Sequence, residues 1–216
     1  MEGTIFILCL WSCWIVATFL MPKKHPARLE IAFFSLCALI CLPYSLRAGS
    51  FLVNMPLAAV FIYIYISLSK LAGKVQIYTL GSMAAVMIGS VGLKLLELYD
   101  PVWSAGHEGL YASGFAAAMS MLLHPRSVRS GMICAAGGIL HGDMLYSALL
   151  KKWGIVYPIG SYHTLDIAAL SVSALLIASY AFKAAVSVGV FTTHTKGRQQ
   201  LRKLKRGQQM AGRKFL

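Results

Sequence analysis

His141 and Asp143 are the residues of this chain best placed to do chemistry. They stand within Gly137-Gly138-Ile139-Leu140-His141-Gly142-Asp143-Met144-Leu145-Tyr146-Ser147, inside an apolar run long enough to cross a bilayer. Charge at that depth costs about 2.5–3.5 kcal/mol on insertion scales, so a residue kept there needs a partner or a task. Residues two apart on a helix point to different faces, so these two do not pair with each other. Asp143 shares a face with Tyr146 and Ser147; His141 shares one with Gly137, Gly138 and Leu145. Partners must come from neighbouring helices: Lys94 and Glu97, Glu108 and Tyr111, and Asp166. Two readings follow. In one, His141, Asp143, Tyr146, Lys94, Glu97, Glu108 and Tyr111 line a polar cavity that binds or moves an ion or small polar solute; alternating His and carboxylate groups also serve proton relays. In the other, a buried pair such as Asp143–Lys94 fixes how the helices pack.

The elements that hold these residues follow from composition. The 216 residues are 58% hydrophobic and 12% charged, against about 25% charged in a soluble domain. Long apolar runs separate the charges, which makes the chain an all-α, polytopic membrane bundle. The runs lack the alternation of barrel strands. Seven spans are expected: Gly3–Met21, Leu29–Leu46 with a kink at Pro43, Phe51–Ser69, Val75–Leu98, Glu108–Leu123, Gly131–Leu150 and Leu165–Val190. A tight turn at Arg47-Ala48-Gly49-Ser50 joins the second and third. Residues 1–191 form the bundle and residues 192–216 a basic tail. The first span is read as retained, because Glu2 rather than a basic segment precedes it and no small-residue cleavage site follows.

Small residues recur at four-residue spacing as Gly81, Ala85 and Gly89, as Gly109, Ser113 and Ala117, and as Gly138 and Gly142. Such stripes let backbones approach, so the last four helices are expected to pack tightly with the first three flanking them. Trp153, Tyr157 and Tyr162 in the longest loop suit a membrane interface.

Of the 20 Lys and Arg residues, 15 fall on one side if the N-terminus is outside; Arg47, Lys151 and Lys152 fall on the other, and Lys94 and Lys183 lie within spans. Basic residues gather on the cytoplasmic side, so the C-terminus is placed in the cytoplasm. The net charge of +13 is therefore a topology signal, and no nucleic-acid partner is expected. The tail residues Arg198, Arg202, Lys203, Lys205 and Arg206 suit anionic lipid, at about 1 kcal/mol per charge near the surface.

The opening MEGTIFILCLWSCWIVATFLMPK and the segment LHGDMLYS resemble the YphA-like family of Bacillus-type integral membrane proteins. The likeness extends over most of the chain. It implies a bacterial cell membrane and multiple spans, and it supplies no catalytic residues.

Other constellations are weaker. Cys9 with Cys13 and Cys37 with Cys41 lie one turn apart on adjacent helices, a spacing open to a soft metal or a disulfide exchange but also to small apolar filling. Ser113-Gly114 with His141 falls short of the rhomboid GxSG pattern, because Tyr111 stands at the first Gly. Tyr99-Asp100 with His141-Gly142-Asp143 falls short of the YD and GxGD motifs of intramembrane aspartyl proteases, because Leu140 replaces the first Gly. An enzyme is thus not established. No P-loop, dinucleotide fingerprint or HExxH is present, so no cofactor is expected. The reading is a multi-pass cell-membrane protein, either a small transporter or solute-binding protein or a non-catalytic accessory protein. Its partners would be the bilayer and a membrane protein or second copy of the chain.

Overall fold

The computed structural model describes residues 2–49, 51–100, 102 and 108–185. They form two units, Met1–Leu176 and Ile177–Leu216. Of the second, residues 177–185 are described; they are the last turns of a helix and expose Ile177, Tyr180 and Phe182.

Seven helices run through the described residues. Helix α1 covers Thr4–Ile15 and continues as a π-helical segment, Val16–Leu20. Helices α2 (Ala27–Cys41), α3 (Met55–Ser69), α4 (Gly73–Tyr99), α5 (Glu108–Leu123), α6 (Val128–Lys152) and α7 (Tyr162–Ala185) follow. Three of them, α4, α6 and α7, are long and apolar enough to cross a membrane; Thr4–Leu20, Met55–Ser69 and Gly109–Leu123 are shorter apolar helices.

The second and third helices differ from expectation. Pro43 does not kink a long helix; α2 stops at Cys41, because proline has no N–H to continue the ladder. Pro56 lies in the first turn of α3, where a missing N–H costs nothing. Residues between the two prolines are free to extend. They form an antiparallel hairpin of β1 (Ser45–Ala48) and β2 (Phe51–Asn54), with Ala48 opposite Phe51. The expected turn at Arg47-Ala48-Gly49-Ser50 is shorter than its four residues, because Arg47 and Ala48 belong to β1, and strands rather than helices flank it. Gly49, at φ 62°, supplies the left-handed backbone that a two-residue hairpin turn demands.

The segment between α6 and α7 completes this end of the bundle. Ile159 pairs with Val53 in parallel. Its N–H donates to Leu52 O at 2.8 Å, and Asn54 N–H donates to Ile159 O at 3.0 Å. Lys151 sits over the Phe51 ring, 4.3 Å from its centroid.

The main packing contact is α4 against α6. Their closeness rests on the glycines of α6. A Cβ at Gly138 would lie 2.6 Å from Val86 Cβ, and one at Gly142 would lie 2.3 Å from Ser90 Oγ. On α4 the approach uses Met83, Val86 and Ser90 rather than the expected Gly81 stripe, since a Cβ at Gly81 would meet nothing within 4 Å. Gly89 instead receives the Phe115 ring of α5. The core also draws Phe6 from α1 and Leu57, Ile64 and Leu68 from α3, so the first and third helices share one core with the rest.

At the end opposite the hairpin, arginines cap frayed helix ends. Arg28 donates from Nε to Ala17 O at 2.9 Å and from Nη2 to Thr18 O at 2.8 Å. These carbonyls lie in the π segment, where the regular ladder is broken. Lys70 and Glu30 join α3 to α2.

Candidate functional site

The centre of the site is Asp143, which is 0% exposed. It lies nine residues from the end of α6, about 13 Å along the axis. Its Oδ1 accepts from Lys94 Nζ at 2.6 Å, from the Thr164 hydroxyl at 2.7 Å and from the Tyr157 hydroxyl at 3.2 Å. Its Oδ2 accepts from the Gly160 N–H at 2.7 Å. One carboxylate thus has four donors.

Lys94 is buried too. Its ammonium also donates to Thr164 Oγ1 at 3.0 Å and to Tyr157 Oη at 3.5 Å. It lies 5.4 Å from the Tyr146 ring centroid and 5.5 Å from that of Tyr157. Three partners match its three protons, and two aromatic faces surround it. Ser161 Oγ ties Tyr157 Oη (3.1 Å) to Thr164 Oγ1 (3.0 Å), and Ser147 Oγ donates to Tyr157 O at 2.9 Å.

Two backbone features make this closure possible. Gly160 has φ 73°, and a Cβ there would lie 2.8 Å from Leu57 Cβ. Glycine alone presents its N–H to Asp143 in that space without strain. Asn54 N–H donates to Ile159 O, the carbonyl of that same peptide, at 3.0 Å, and Asn54 Nδ2 donates to Gly160 O at 2.9 Å, so the hairpin holds both peptides of Gly160.

The candidates named from sequence separate into groups. Asp143, Lys94 and Tyr146 come together. His141 does not join them. Its Nδ1 lies 2.7 Å from Gly137 O and its Nε2 2.8 Å from the Tyr65 hydroxyl, on the α3 side of α6. Asp166 caps α1: it accepts from Gly3 N–H and Phe6 N–H, each at 2.7 Å. Glu97 is half-buried and Tyr111 exposed. The side chain of Glu108 and the tail residues Arg198, Arg202, Lys203, Lys205 and Arg206 lie outside the described residues.

Sequence reasoning missed Tyr157, Gly160, Ser161 and Thr164. Tyr157 and Tyr162 were expected at a membrane interface. Tyr157 turns inward to Asp143, and the Tyr162 hydroxyl donates to Leu42 O at 2.6 Å. Trp153 is exposed. The available signal was Gly160, a lone glycine amid hydroxyl-bearing residues within reach of a buried carboxylate. The five cysteines are free thiols. Among the described residues no three His, Cys, Asp or Glu side chains gather as a metal-ligand set, so the sulfur-metal reading finds no geometry there.

A family model described as YphA-like integral membrane protein matches residues 2–201. No curated protein and no solved structure matches the chain.

Proposed function

Because the chain belongs to the YphA-like integral membrane protein family, we propose that it is a non-catalytic accessory protein of the cell membrane, with seven spans, the hairpin end outside and the tail inside. Its Lys94–Asp143 centre is a structural lock on the outer end of the bundle. One observation carries this reading: Asp143 is fully buried and held by four protein donors. A site that binds or moves a solute must be reachable, and this carboxylate is shut away from the surface among its four donors. The pair joins α4, α6, the loop and the start of α7, so it fixes their relative positions. Orientation rests on the basic residues. The turns opposite the hairpin carry Lys23, Lys24, Arg28, Lys70, Lys74, Arg126 and Arg129, against Arg47, Lys151 and Lys152 at the hairpin end. The tail would add an anchor to anionic lipid.

The test is proton and ion flux in liposomes holding the wild type or Asp143→Asn, together with thermal unfolding of both. The proposal expects no protein-dependent flux in either and a lower Tm in the variant. Flux in the wild type that disappears in an equally stable variant would refute it and make the chain a transporter.

A further inference from the structure

His141 and Tyr65 form a polar pair with no part in the Asp143 network. We infer that this pair is a lateral binding site, open to the bilayer, for a membrane-dissolved phenol, the class that includes quinols.

The protonation pattern comes first. Gly137 O can only accept, so His141 Nδ1 carries the hydrogen of that 2.7 Å contact. In the neutral ring Nε2 is then the acceptor, and the Tyr65 hydroxyl donates to it at 2.8 Å. Tyr65 has therefore used its one proton. Its oxygen keeps a lone pair for an incoming donor.

Depth and exposure come next. His141 lies near the middle of the 25-residue α6. Tyrosine in a span ordinarily sits at an interface; here the histidine holds the hydroxyl at mid-depth. Tyr65 is 47% exposed and His141 half-buried. In a bilayer that exposure faces acyl chains, which offer no hydrogen bond.

The surroundings select the ligand. Phe61 lies against Tyr65 with ring planes 25° apart and centroids 6.2 Å apart. Phe61 also meets the imidazole edge-on at 4.8 Å. Together they make an aromatic wall beside one hydrogen-bond acceptor. A phenol supplies both complements, a planar ring and an O–H. A partner helix is a poorer fit, because helices associate through small residues that admit close backbones. The small residues of α6, Gly137, Gly138 and Gly142, are already buried against α4.

The probe is 4-decylphenol, with 4-decylanisole as the same molecule lacking the donor. Both are titrated into nanodiscs containing the full chain, and the ¹⁵N shift of His141 Nε2 is followed. The phenol should give a saturable shift that the anisole does not. Tyr65→Phe opens Nε2 itself to the phenol O–H, so it should enlarge the ¹⁵N shift at saturation, with its thermal unfolding within a few degrees of the wild type. Shifts that grow linearly and equally with both compounds would overturn the inference, as would a phenol-induced shift of the same size in Tyr65→Phe as in the wild type. A shift that appears with protein self-association alone would also overturn it, by giving this face to a second copy.

Discussion

Replacing Asp143 by Asn removes the charge while keeping size and one carbonyl oxygen. Gly160 N–H can still find that oxygen, but Lys94 loses its counter-ion in a place where it is only 9% exposed. Breaking a buried pair from one side costs about 3–5 kcal/mol. Insertion scales put an uncompensated Lys at mid-bilayer at about 2.5–3.5 kcal/mol. The two scales overlap near 3 kcal/mol, which for a chain of this length lowers Tm by about 6–12 °C. Lys94→Met should cost slightly less, because Asp143 would keep Thr164, Tyr157 and Gly160 as donors. The double variant leaves neither charge uncompensated and should recover much of the loss, so the two effects should fall short of additivity by at least about 1 kcal/mol. Thermal and denaturant unfolding of the four proteins in one detergent measures this directly. Additive losses, or a Tm for Asp143→Asn within 2 °C of the wild type, about what 1 kcal/mol would move, would refute the lock.

Gly160→Ala should lose at least about 1 kcal/mol by the same assay, since alanine is strained at a left-handed φ and its Cβ meets Leu57. Gly138→Ala should cost more than Gly137→Ala. The first presses on Val86 Cβ and Met83 O, while the second meets the flexible end of Met83, and thermal shifts rank them. Asp166→Ala should release the first turn of α1 at a cost of about 1 kcal/mol, seen as faster hydrogen exchange at Gly3 and Phe6. His124, just beyond α5, is 8% exposed and its Nε2 has no partner among the described residues; burial holds its imidazole below the usual histidine range. The unfolded chain therefore takes up this proton first. The stability His124 contributes is present above about pH 6.5 and is lost as pH falls through the lower folded value. His124→Phe should flatten that part of the Tm-against-pH curve.

The helices were legible because apolar runs and basic turns mark them, and the ends of α5 and α6 fell within three residues of expectation. The hairpin was not, because Leu46, Phe51 and Val53 look as apolar as a span; only the proline pair at 43 and 56 betrays a break. The Lys94–Asp143 pair could be named in advance, since two opposite charges in facing spans have few other partners. Its remaining donors could not. Tyr157 and Thr164 read as loop residues, and Gly160 reads as a turn, until the loop is folded back over α6. His141 was grouped with Asp143 by proximity in sequence, yet a two-residue step on a helix sends it to Tyr65 instead.

The closest test of the central claim is hydrogen exchange at the Gly160 amide in nanodiscs, because that N–H is bonded to Asp143 Oδ2. A sealed lock predicts strong protection in the wild type, lost selectively in a folded Asp143→Ala variant, where no acceptor remains. Exchange in the wild type at the rate of an open loop would contradict it, and would mean that Asp143 is open to solvent and free to serve another partner.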